Sequence, residues 1–131
     1  MELESNTNKS EEQLYDLSLI DKMCRGNQKQ IVKMIQVFII QTAKTIEDLK
    51  LADTKKDLLK IKTMIHKIKP SFTYYGALKL EKEAKLIETL ILGKFEISEV
   101  ELKIERLTEL ANQVINKMKN DFNIIINKND E

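Results

Sequence analysis

The sequence predicts an all-α fold: an antiparallel up-down-up-down four-helix bundle with a short additional helix at its N-terminal end. Three observations lead there. Apolar residues recur at steps of three and four along four long segments, the pattern of helices that bury one face. No stretch alternates apolar and polar residues as a strand does, and no internal repeat is visible. The chain holds three glycines and one proline, too few for the many tight turns of an all-β design. Short connections between long helices make neighbours antiparallel.

Each element has its own justification. Residues 1–12 are rich in Glu, Ser, Asn and Thr, with little to bury, and read as a flexible N-terminal tail. Asp16 to Met23 reads as a short helix that starts at Asp16 or Ser18 and is punctuated by Gly26-Asn27. Asn27 then caps a longer helix. Ile31, Met34/Ile35, Phe38, Thr42, Thr45/Ile46 and Leu49 form its inner stripe, and it stops near Ala52-Asp53. Thr54 or Asp53 is expected to cap the third long segment, whose seam is Leu58, Ile61, Ile65, Ile68, Phe72 and Tyr75, broken at Gly76. The next helix runs from about Ala77 to Leu92 with Leu80, Ala84, Ile87 and Ile91 inward, and Gly93-Lys94 ends it. Ser98-Glu99-Val100-Glu101 reads as a capping box that opens the last helix. That helix should run to about Ile126, with Leu102/Ile104, Leu107, Ala111, Val114/Ile115, Met118 and Phe122/Ile125 in the core. The bundle domain is expected over residues 13–127, with a C-terminal tail at 128–131.

Composition narrows the function. A chain of 131 residues fits one domain, long enough to bury roughly two thirds of its unfolded surface. It carries 22 Lys and Arg against 21 Asp and Glu, a net charge of +1, which argues against a coat for nucleic acid or for an anionic membrane. Cys24, the single cysteine, has no partner for an internal disulfide, and cysteine-rich zinc sites are excluded by the same count. It is expected to be a buried small residue. The longest purely apolar runs, such as Val37 to Ile40, are four residues, far below the ~20 that span a bilayer. Met1 to Lys9 is polar and acidic, unlike an export signal. A cytoplasmic location is expected. Lys55-Lys56 and the other lysines are interleaved with acidic residues and read as a solvated face.

The chemistry centres on the one histidine. His66 falls in the middle of the third long segment, about 100° from Ile65 and so just off the apolar seam. Lys62, Lys69 and Thr73 lie between it and the seam and make one stripe with it. Lys69 is one turn beyond His66 on the same side. An imidazole beside an ammonium is a poor structural pair, since like charges repel, and a good one where the ring must later hold an anion.

The run His66-Lys67-Ile68-Lys69-Pro70-Ser71-Phe72-Thr73-Tyr74-Tyr75-Gly76 resembles the signature of the histidine-containing phosphotransfer (HPt) domain. That signature has a histidine, an apolar residue at +2, a lysine at +3, small residues after it and a glycine at +10; His66, Ile68, Lys69, Ser71 and Gly76 match. The flanking Leu58 to Ile61 and Gly76 to Leu80 fit the neighbouring helices, and Asp16 to Phe122 has the family's helix order. The resemblance implies a phosphoryl carrier that takes the group from a receiver-domain aspartate, or from a histidine kinase, and passes it to a response-regulator receiver. It implies His66 as acceptor, Lys69 as the cation that steadies the phosphoryl oxygens, and Glu88, at +22, as the carboxylate that orients the ring. Lys85, three residues before Glu88, would add positive charge. Lys62, Pro70, Thr73 and Gly76 complete the expected binding surface. The implied partners are receiver domains and a hybrid histidine kinase, with the chain acting as a monomer. No cofactor or metal of its own is needed, since a receiver would bring the metal, and no glycine-rich phosphate loop is present.

One position departs from the pattern. The family usually has glycine at +4, where this chain has Pro70. Proline removes the amide that would bond the carbonyl of His66, which predicts a kink or widened turn there. Pro70 lies about 40° around the helix from His66 and shares its face. The oddity motivates a different reading: an HPt-like interaction module that binds a receiver or kinase without transferring phosphate. A third reading is a plain helical oligomerisation domain, which should leave no exposed imidazole. A variant within the first class is the phosphoacceptor domain of a chemotaxis-type kinase, which also has Glu at +22. The polar ending Asn127 to Glu131 favours a free-standing protein.

Overall fold

A computed structural model describes residues 13–94 and 96–126; the tails expected over 1–12 and 128–131 lie outside the described residues. Five helices follow one another, and no strand occurs among the described residues: α1 (Ser18–Met23), α2 (Gln28–Thr54), α3 (Leu58–Tyr74), α4 (Leu78–Leu92) and α5 (Ile97–Phe122). The long helices close a ring, α2 against α3, α3 against α4, α4 against α5 and α5 against α2, with α1 resting on α2. This is the expected four-helix bundle with a short leading helix.

The seams read from the sequence supply the core. Ile31, Ile35, Phe38, Ile46 and Leu49 of α2 are buried against Ile61, Ile65, Ile68 and Phe72 of α3, Leu80, Ala84 and Ile87 of α4, and Ile104, Leu107, Ala111, Val114 and Met118 of α5. Phe38 meets Phe72 edge-on at 6.3 Å between ring centres and lies 4.5 Å from the ring of Tyr75. The Tyr75 hydroxyl donates to the Met34 carbonyl (2.8 Å), so the polar end of a buried ring is satisfied. Cys24 is buried, with its Sγ 3.4 Å from the Met34 sulfur.

Helix ends explain where the boundaries moved. Asn27 caps α2 as expected, its side chain accepting from the Gln30 amide (3.1 Å). The cap of α3 is Asp57, accepting from the Lys60 amide (3.1 Å), and not Thr54 or Asp53. Thr54 is the last residue of α2, and its hydroxyl donates back to the Lys50 carbonyl (3.0 Å). Lys56 takes the left-handed conformation (φ 54°) so that the Asp57 amide can reach the Ala52 carbonyl (2.9 Å), a helix stop usually signalled by glycine. The expected capping box at Ser98 does not form. Helix α5 begins at Ile97 behind Glu96, placing Ser98 inside the first turn. With Ile97 already helical, Ser98 has no extended cap position from which its hydroxyl could accept from the first turn. At the other end Asn123 turns left-handed (φ 52°) and stops the helix at Phe122. The turn throws Ile125 outward (83% exposed) and buries Ile124 in its place. Leu102 is also exposed, so neither Leu102 nor Ile125 belongs to the core.

Gly76 ends α3 in the left-handed region (φ 64°), with the Ala77 amide bonded to the Phe72 carbonyl (2.8 Å). A second constraint acts there. The chain before α1 crosses this turn, the Asp16 amide donating to the Tyr75 carbonyl (3.2 Å), and a Cβ on Gly76 would overlap the backbone of Asp16. Beside it the Tyr15 hydroxyl donates to Asp121 near the end of α5, and Lys117 also holds that carboxylate (3.1 Å). Burial, reinforced by the Asp121 hydrogen bond and charge, raises the Tyr15 phenol above its ordinary range.

Two stability outcomes follow from this packing. Gly76→Ala combines left-handed strain with a backbone overlap and should lower unfolding stability by about 2–4 kcal/mol, read as the urea midpoint. Thr42 is 1% exposed and its hydroxyl has no hydrogen-bond partner, whereas the buried Thr108 hydroxyl donates to the Ile104 carbonyl (2.8 Å). Thr42→Val keeps the shape and removes the orphan hydroxyl; it should raise stability by about 1 kcal/mol in the same assay.

Candidate functional site

His66 sits on α3 between buried Ile65 and Ile68, one position off the seam, and its side chain is 76% exposed. The plain oligomerisation reading required a hidden ring, and the ring stands in solvent. Its Nδ1 lies 3.0 Å from Oε2 of Glu88 on α4. Lys69, one turn along α3, donates from Nζ to the other oxygen, Oε1, of the same carboxylate. Glu88 is next to buried Ile87, which puts its side chain in the crevice between the two helices at 14% exposed; Lys69 is 24% exposed.

Burial alone would push the Glu88 carboxyl up. The hydrogen bonds from Lys69 and then His66, with their charges, outweigh it and hold the carboxyl below the usual glutamate range. An ionised carboxylate only accepts hydrogen bonds, so Nδ1 of His66 must carry the hydrogen that faces it. In the neutral ring this leaves the Nε2 lone pair on the side away from Glu88. The arrangement is an exposed ring of fixed tautomer whose carboxylate partner also holds an ammonium.

The remaining expected residues divide into groups. Thr73 and Lys85 come together on a different carboxylate: the Thr73 hydroxyl donates to Glu81 and, more loosely, to the Lys69 carbonyl (3.4 Å), while Lys85 Nζ lies 3.7 Å from Glu81. Lys62 is half-buried one turn before His66. Gly76 lies at the foot of α3, where it clears the path of the N-terminal segment. Pro70 is exposed, and α3 runs through it unbroken from Leu58 to Tyr74. The residue expected to kink or widen the turn after His66 therefore lies inside a continuous helix.

Two contributors were not visible in the sequence. Glu81 binds Thr73 because α3 and α4 continue in the same antiparallel register that joins His66 to Glu88. Leu19 of α1, 42% exposed, lines a shallow depression of about 440 Å³ with Lys69, Pro70, Thr73 and Tyr74. The only sequence sign of that second surface was Leu19 and Met23, four apart and both off the buried side of Ile20. Among the described residues, no group of three or more His, Cys, Asp or Glu side chains could hold a metal ion, and no helix is long and apolar enough to cross a membrane.

The site is thus an exposed histidine on a four-helix bundle, backed by a carboxylate from the neighbouring helix. The chain is similar to the crystal structure of the HPt domain from a sensor hybrid histidine kinase of Shewanella, with a TM-score of 0.69 and 16% identity over 86% of this chain and 96% of that one. No protein-family model matches the sequence, and no curated protein does. The chain has the fold of an HPt domain.

The low carboxyl of Glu88 has a testable sign. A carboxyl depressed in the folded state stabilises above its unfolded range and loses that contribution as pH falls through its folded value. The stability gap between the wild type and Glu88→Gln should therefore narrow on acidification. In Lys69→Met the NMR titration midpoint of the Glu88 carboxyl carbon should move up.

Proposed function

We propose that the protein is a phosphorelay carrier, accepting a phosphoryl group on Nε2 of His66 from a receiver-domain aspartate, or from a histidine kinase, and passing it to a response-regulator receiver aspartate. The observation that carries this reading is the Glu88 carboxylate on Nδ1 of an exposed ring, since it fixes the tautomer that leaves Nε2 free. Lys69 supplies the cation for the phosphoryl oxygens. Phosphoryl transfer is mainly positioning and charge stabilisation, which one exposed imidazole with one nearby ammonium provides. Lys62 and Lys85 add positive charge around the ring, while Pro70 and Thr73 belong to the face on which the receiver docks. Gly76 supports that face from beneath by fixing the end of α3. The chain acts as a carrier in the cytoplasm, as a monomer, without an ATP site of its own, and its partners are receiver domains and a hybrid histidine kinase.

The test is transfer from a phosphorylated receiver domain. Acid-labile label should appear on the wild type and be absent from His66→Gln. Lys69→Ala should slow labelling by about 10- to 100-fold, the scale of losing one charge-stabilising group. Undiminished labelling of His66→Gln would sink the assignment.

The exposed ring of Pro70 on the His66 face favours a second reading, a module that binds a receiver or kinase and withholds transfer. Receiver binding with no transfer in either direction would select it.

A further inference from the structure

Glu88 gives its two oxygens to two different partners, Oε2 to the His66 ring and Oε1 to Lys69. Before any transfer, Lys69 is thus the counter-ion of Glu88. The pair lies in the crevice between α3 and α4, where charges interact more strongly than in water, while the ring stands outside it. Lys85 is held by another carboxylate, Glu81, at 3.7 Å. Among the described residues, Lys69 is the cation seen to share a carboxylate with the imidazole.

Transfer changes every charge in this group except those of Glu88 and Lys69. The Nε2 lone pair attacks phosphorus, the N–P bond forms, and the P–O bond to the donor aspartate breaks, its electron pair leaving on the donor's carboxylate. Nδ1 keeps its hydrogen. A ring that was neutral becomes cationic, and the phosphoryl oxygens carry two negative charges between them. Glu88 then has a cation bonded directly to it and no longer needs Lys69, and a dianion has appeared one helical turn away.

We propose that Lys69 changes partner during transfer: the positive charge placed on the His66 ring takes over Glu88, and the released ammonium moves to the phosphoryl oxygens. The inference rests on the carrier reading of His66. The lysine stem is long and flexible enough for the move, and its i,i+3 spacing puts both partners on one side of α3. Glu88 is thereby a positioning residue with two functions, holding the tautomer and storing the cation until the phosphoryl group arrives.

The experiment uses the full chain and phosphoramidate, a small phosphodonor that labels histidine without a receiver. NMR follows the Lys69 Nζ and Cε signals and the Glu88 carboxyl carbon before and after labelling. On phosphorylation the Lys69 signals should shift while the Nδ1–H to Glu88 bond persists. Glu88→Gln should release Lys69 in the unlabelled protein. Lys69→Met should lower the labelled fraction at fixed phosphoramidate by about tenfold, the scale of one charge-assisted bond, with the ring tautomer unchanged. Unmoved Lys69 signals at full phosphorylation would overturn the exchange, as would a His66 that phosphoramidate cannot label. If receivers fail to transfer while Lys69 still moves on chemical labelling, the relay reading falls and the exchange stands.

Discussion

The carboxylate of Glu88 has to reach the imidazole of one helix from another, and that requirement constrains the molecule. His66 meets Glu88, and Thr73 meets Glu81, seven residues further along α3 and seven residues back along α4. Seven residues are two helical turns, so both contacts express a single antiparallel register. A slip of one residue would rotate Glu88 by about 100° and take it off the ring. The register is held by Ile61, Ile65, Ile68 and Phe72 packing on Leu80, Ala84 and Ile87, and by the tight turn at Gly76.

The same residues therefore serve stability and chemistry at different depths. Ile65 and Ile68 are buried, and His66 between them is exposed because a helix turns each residue to a new direction. Glu88 and Lys69 occupy the intermediate zone, dry enough for their pairing to matter and open enough for the lysine head to move. Gly76 shows the opposite division. It stands at the end of the histidine motif, yet it contacts the chain before α1, and its lack of a side chain lets that segment cross the end of α3. The segment is further secured by Tyr15 on Asp121, so Tyr15 and Asp16 tie the C-terminal end of α3 to that of α5.

Much of this was legible because helical packing is written in local periodicity. The seam of α3, the Asn27 cap and the exposed position of His66 all followed from residue spacing. Glu88 came from the family resemblance, and the structure puts its carboxylate on the ring. The boundaries that moved were less legible. Lys56 and Asn123 adopt left-handed turns without glycine, and α5 starts at Ile97, one residue before the serine expected to cap it. Leu102 lies about 200° around α5 from buried Ile104 and faces solvent, and Ile125 lies beyond the Asn123 stop and is exposed as well.

By itself the sequence determined the fold class, the core stripe of each helix and the histidine stripe with Lys69 one turn away. These depend on residues within a few positions of one another, and the geometry of a helix fixes their relation. Only the tertiary structure decided that one carboxylate serves both the ring and the lysine, that Thr73 and Lys85 converge on Glu81, and that Gly76 makes room for Asp16. Each of those contacts joins residues distant along the chain or on separate helices, and the packing of the whole core sets the distance between them.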